Sequence, residues 1–115
     1  MIRVQVVKKN HRITGFQISG HAGYAAHGQD IVCAAVSFMA TSVVNTLERQ
    51  FGICGDVEVA DGYLQYRLPD ALGAETIENA QSVLQVLVTG FQDLKEKYPK
   101  NILIQYVKLK GGASE

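Results

Sequence analysis

His21 and Cys33, twelve positions apart, are the two side chains in this 115-residue sequence whose type and setting point to chemistry. His21 follows Gly20 and precedes Ala22 at the end of a segment that reads as a strand. Cys33 stands in the run Asp30-Ile31-Val32-Cys33-Ala34-Ala35-Val36-Ser37, which reads as the first turns of a helix. Between them lies a short loop of small and polar residues with glycines at Gly23 and Gly28. A thiol is a nucleophile only as its thiolate. A helix N-terminus and a neighbouring imidazole both favour that form, and cysteines so placed titrate at roughly 3.5–7.5 against about 8.5 for a free one.

With Asp30 as N-cap, the first helical positions carry amide N–H groups that have no partner inside the helix, and the peptide dipoles add roughly half a positive charge there. Such amides stabilise a thiolate and also the oxyanion formed when it attacks a carbonyl. His21 can take the thiol proton and return it to a leaving amine. Asp30 has two readings, the cap of an apolar helix or a third member that orients His21, and the cap is the commoner use of the residue. Ser37, one turn after Cys33, either bonds near the thiol or bonds its own helix backbone. His27 would complete a three-ligand set with His21 and Cys33, but the spacing matches no metal motif, and no metal or cofactor is expected. Taken alone, a helical cysteine is most often packing and a histidine at a strand end is most often surface. The residues by themselves therefore leave a non-enzymatic binding module and a thiol redox sensor open beside a cysteine hydrolase.

The elements that must position these groups follow from periodicity. Residues 1–8 and 13–19 alternate apolar and polar around the turn Lys9-Asn10-His11-Arg12, as a β-hairpin does. Residues 31–50 are apolar nearly all round, which predicts a central, buried helix. Residues 57–60 and 63–68 flank Asp61-Gly62, a strong hairpin signal. One of Tyr63 and Tyr66, on opposite faces of that second strand, is a candidate to line a substrate groove. Ile77, Ala80, Leu84, Leu87, Phe91, Leu94 and Tyr98 form an amphipathic stripe over residues 74–98, which Pro99 ends. Residues 101–109 make a last strand. The order ββαββαβ predicts an α+β fold: a two-layer domain with a mixed β-sheet and two helices packed on one face. Residues 1–110 read as one domain and 111–115 as a flexible tail.

Eleven basic residues balance eleven acidic ones, which removes a generic pull toward nucleic acid or anionic lipid. The start reads as a strand and not as a targeting segment, and the apolar stretches read as too short to span a membrane, so a cytoplasmic protein is expected. Cys54 reads as a small buried filler. A disulfide from it to Cys33 is not expected, since a helix of ~20 residues between them would hold them about 30 Å apart.

At Gly20-His21-Ala22, Gly28 and Asp30-Ile31-Val32-Cys33-Ala34-Ala35-Val36-Ser37 the chain resembles the ribosomal-processing cysteine protease Prp family, and the resemblance extends to length, element order and the Asp-Gly hairpin. It implies a bacterial cytosolic endopeptidase that removes a short N-terminal extension from large-subunit ribosomal protein twenty-seven, cutting after an aromatic residue and before a small one. It assigns the catalytic histidine to His21 and the catalytic cysteine to Cys33. It leaves Gly20, Ala22, Gly28, Asp30 and Ser37 as supporting or substrate-loop residues. It also implies a ribosomal protein precursor as peptide substrate, a homodimer, and a mobile loop near residues 23–29 that orders over substrate, with Gly20, Gly23 and Gly28 as candidate hinges.

Overall fold

Alternation of apolar and polar residues makes Ile2–Lys9 (β1) and Arg12–Ser19 (β2) an antiparallel pair, with Val4 opposite Ile18 and Val6 opposite Phe16, all four buried. The computed structural model describes residues 1–26 and 29–109; His27, Gly28 and the tail from residue 110 lie outside the described residues. Asn10 and His11 both adopt left-handed backbone, φ 52 and 66, as a two-residue turn matched to the strand twist requires. A bulge at Thr14 shifts the register, so that Val7 faces Gly15 while Lys8 faces Ile13. The backbone of Ile13, beyond the reach of the next strand, is satisfied in both directions by the Gln81 side chain: its N–H donates to Oε1 at 2.7 Å and its carbonyl accepts from Nε2 at 2.8 Å.

The remaining elements are α1 (Ile31–Phe51), β3 (Asp56–Ala60), β4 (Tyr63–Arg67), α2 (Ala74–Lys97) and β5 (Ile102–Leu109). The sheet order is β3-β4-β2-β1-β5, with β1 and β5 parallel and every other pair antiparallel. This is the predicted two-layer ββαββαβ arrangement. Helix α1 ends at Gly52, whose left-handed φ of 65 lets its own N–H return to Glu48 and the N–H of Ile53 to Leu47. That wrap turns Ile53 into the core and leaves Cys54 exposed, which corrects the expectation of a buried filler. Both cysteines are free thiols.

Helix α1 departs from its reading as a central helix. Val32, Val36, Ala40, Val43 and Leu47 are buried, but Ile31 is 53 % exposed and Phe38 74 % exposed. In a two-layer fold nothing covers the outer side of a helix, so its apolar composition there is left facing outward. By length and composition this 21-residue helix also reaches what a membrane span needs, contrary to the reading of the apolar stretches as too short. Its buried stripe nonetheless packs into the same core as α2 and the sheet.

Tyr66, read as a candidate groove residue, is instead core: it is buried and stacked on Phe16 with ring centroids 5.6 Å apart. Its hydroxyl makes no hydrogen bond among the described residues. Burial first, then the neighbouring Cys54, push this phenol up to about 12 from 10.0. A raised value means the folded state keeps the proton longer than the unfolded chain, so stability falls as pH rises from about 10 through about 12. Tyr66→Phe should therefore be neutral or stabilising by about 1 kcal/mol, since it deletes an unpaired buried donor. It should also remove that alkaline loss. Chemical denaturation at pH 7 and across pH 9–12 checks both.

Candidate active site

The first turn of α1 is organised by Asp30. Its Oδ1 accepts from the N–H groups of Val32 and Cys33, both at 3.0 Å, which is the N-cap bond. Its Oδ2 accepts from the N–H groups of Tyr24 at 3.0 Å and Ala25 at 3.3 Å, so the same carboxylate pins the preceding loop. Asp30 is 8 % exposed. Burial alone would raise its affinity for a proton, but the four amides outweigh burial and hold it below 3.8. The geometry carries the capping reading of Asp30.

This arrangement changes the electrostatics expected at Cys33. The helix terminus offers roughly half a positive charge, and Asp30 sets a full negative charge against it. The Val32 and Cys33 amides, expected to be available to an oxyanion, are given to Asp30 instead. The amide that serves the sulphur comes from the loop: the Ala22 N–H donates to Cys33 Sγ at 3.2 Å. Ala22 is held in turn from the far end of the chain, its carbonyl accepting from Asn101 Nδ2 at 2.9 Å. Tyr24 packs edge-on to Tyr98, centroids 5.4 Å apart, at the same junction.

His21 and Cys33 border one cleft of about 610 Å³ between α1 and the β3–β4 hairpin. Ala34, Ser37 and Thr41 line it from the helix, and Ile18, Val59 and Leu64 from the sheet. One wall is thus built of small side chains and the other is apolar, a shape suited to an extended peptide with bulky apolar side chains. The hairpin tip is tied to the histidine loop, since the Gly20 N–H donates to the Gly62 carbonyl at 2.9 Å.

The sequence model of the family described as Cysteine protease Prp matches residues 1–103. The chain belongs to this family. The ribosomal processing cysteine protease Prp of Bacillus subtilis is 26% identical over 107 residues, which cover 90% of this chain and 96% of the relative. The Prp of Staphylococcus aureus strain Mu50 is 30% identical over 109 residues, covering 92% and 99%. The crystal structure of the S. aureus ribosomal processing protease Prp with a covalently linked product peptide superposes with a TM-score of 0.82 at 29% identity, over 92% of this chain and 99% of that one. A second structure of the S. aureus Prp, with a substrate peptide, superposes with a TM-score of 0.78 at 28% identity over the same shares. This chain is accordingly a cysteine protease with the Prp fold.

Of the residues singled out in the sequence, His21, Cys33, Gly20, Asp30 and Ser37 border the cleft, and Ala22 reaches it through its backbone. Tyr63 lines it, where Tyr66 does not. Gly28, and His27 with the metal set it would complete, lie outside the described residues. Sequence reasoning missed Asn101, 79 residues from the carbonyl it holds, and missed that Gly62 abuts His21. The Asp61-Gly62 hairpin signal was visible, but its destination was not.

Proposed function

We propose that Cys33 is the nucleophile of this cysteine protease and His21 its general base and acid. The further reading is that the substrate is a ribosomal protein precursor, large-subunit protein twenty-seven, cut after an aromatic residue and before a small one to remove its N-terminal extension. The observation that carries the assignment is the Ala22 N–H on Cys33 Sγ, which ties the residue beside His21 to the sulphur at the edge of a peptide-sized cleft. The S. aureus Prp structure with a covalently linked product peptide supports a reaction that proceeds through covalent attachment of the peptide.

In that reaction the Cys33 sulphur bonds to the scissile carbonyl carbon and the proton it gave up goes to His21. The tetrahedral intermediate collapses, the C–N bond breaks, and His21 protonates the departing amine. Water, deprotonated by His21, then attacks the thioester; the C–S bond breaks and the new carboxylate leaves. The loop that starts at Ala22 acts as the lid over the bound peptide, with Gly20 and Gly23, both in left-handed backbone, as its hinges.

The test is a mass-spectrometric cleavage assay on a peptide spanning that N-terminal extension, with wild type and Cys33→Ser compared. One cut after the aromatic residue, by wild type only, is the expected result. Binding without cleavage by well-folded wild type would overturn the assignment.

The protein works in the cytoplasm as a homodimer. Ile31, Ala35 and Phe38, exposed at i, i+4 and i+7 on the outer side of α1, support a self-association face. Phe38→Glu should shift the population to monomer in sedimentation equilibrium, whereas an unchanged dimer mass would exclude that face.

A further inference from the structure

We propose that Gly62, at the tip of the β3–β4 hairpin, is a positioning residue for the His21 imidazole. The proposal rests on His21 serving as the base of the dyad. Two contacts bring the tip to the histidine. The Gly62 carbonyl accepts from Gly20, the residue before His21, at 2.9 Å. A Cβ built at Gly62 would meet His21 Nε2 at 2.9 Å, Cε1 at 3.3 Å and Cδ2 at 3.6 Å. The hairpin tip therefore lies flush against one edge of the ring, fixing both the backbone that leads into His21 and the side chain itself.

The turn needs left-handed backbone at this position, since Gly62 has φ 66. Asparagine also tolerates that conformation, so turn chemistry alone does not demand a residue without a side chain. The ring does demand it. An imidazole on two rotatable bonds yields readily to a new methyl group, so filling the gap moves the ring more than it breaks the fold. Ring placement matters at this site because Asp30 has set its charge against the helix terminus and the Ala22 N–H donates to the sulphur, so the proposed base must be well placed to take the thiol proton. A displacement of about 1 Å in a reacting group costs on the order of 10²-fold in rate.

Gly52 supplies a matched control. Its φ of 65 carries the same backbone strain on substitution, yet a Cβ there meets nothing within 4 Å. Gly62→Ala, Gly52→Ala and His21→Ala are compared by thermal melts, by kcat and KM on a peptide with an aromatic–small junction, and by the pH dependence of Cys33 alkylation with iodoacetamide. The expected result is comparable melts for the two glycine variants. In Gly62→Ala alone, kcat should fall roughly 10²-fold with little change in KM, and the alkylation profile should move to higher pH. If Gly62→Ala does not fold, the pair Gly62→Asn and Gly52→Asn makes the same comparison with a residue that tolerates the turn. The proposal is overturned when the residue-62 variant follows its residue-52 control in both kcat and alkylation while His21→Ala is inactive. Wild-type cleavage by His21→Ala would instead remove the dyad reading, and this proposal with it.

Discussion

Cys33→Ser keeps the fold and lowers peptide cleavage by roughly 10⁴-fold or more. The hydroxyl occupies the place of a half-buried thiol on a helix whose cap and stripe are untouched, so melting changes little. The Ala22 N–H still finds an acceptor. What is lost is acidity: a serine hydroxyl does not yield its proton to an imidazole in a site whose helix terminus is offset by Asp30. His21→Ala should cost a similar factor, and the double variant no more than either alone, if the two act as one unit in the roles proposed for them. Single-turnover cleavage followed by mass spectrometry measures all three. Wild-type rates from the serine variant would sink the assignment of the nucleophile.

Asp30→Asn has the second large effect, and its pattern separates the two roles the residue was given. The carboxylate accepts two helix amides on one oxygen and two loop amides on the other. Asparagine has one oxygen. Placed toward Val32 and Cys33 it caps α1 as well as aspartate does. Its NH₂ then points at the N–H groups of Tyr24 and Ala25, donor against donor. The expected outcome is a loss of about 1–3 kcal/mol in stability, with the loop rather than the helix released. Activity should drop with it, because Ala22 rides on that loop.

The pH dependence carries the same signature. Since Asp30 is held below 3.8 in the fold, the unfolded chain takes up the proton first on acidification. The stabilisation is present above about 3.8 and is lost as pH falls through the lowered value. Asp30→Asn should lack this part of the acid limb in urea titrations between pH 2 and 6. A variant with unchanged stability and acid limb but a kcat lowered about 10⁴-fold would instead mean that Asp30 acts through the histidine tautomer.

The sheet and both helices were legible because their signals are local: alternation in β1 and β2, the 3-4 spacing of α2, and a turn pair at Asp61-Gly62. The cap at Asp30, and with it the place of Cys33 in the first turn of α1, was legible because capping is local too. The misread features are those that depend on what lies across the fold. Apolar composition in α1 reports transfer preference, not whether a second layer exists to cover Phe38, and none does. Cys54 follows a helix stop whose wrap decides which of two neighbours, Ile53 or Cys54, turns inward. The oxyanion amides were assigned by counting the donors unpaired inside the helix, without subtracting the two that the capping carboxylate takes. Asn101 and Gly62 meet the site only through sheet pairing, and spacing along the chain does not encode such meetings.

The parallel pairing of β1 with β5 joins the first strand of the chain to the last. A nascent copy exposes His21 and Cys33 early in synthesis, but one edge of β1 stays unpaired until residues 102–109 have emerged. The carbonyl of Ala22 likewise waits for Asn101, and Tyr24 waits for Tyr98. These are contacts of long sequence separation, which form late because the intervening chain must first be ordered. The backbone that presents the Ala22 N–H to Cys33 is therefore set only once β5 and the residues just before it have joined the sheet. Local signals at the start of the chain thus place His21 and Cys33 near one another, while contacts from residues 98–109 hold the loop between them.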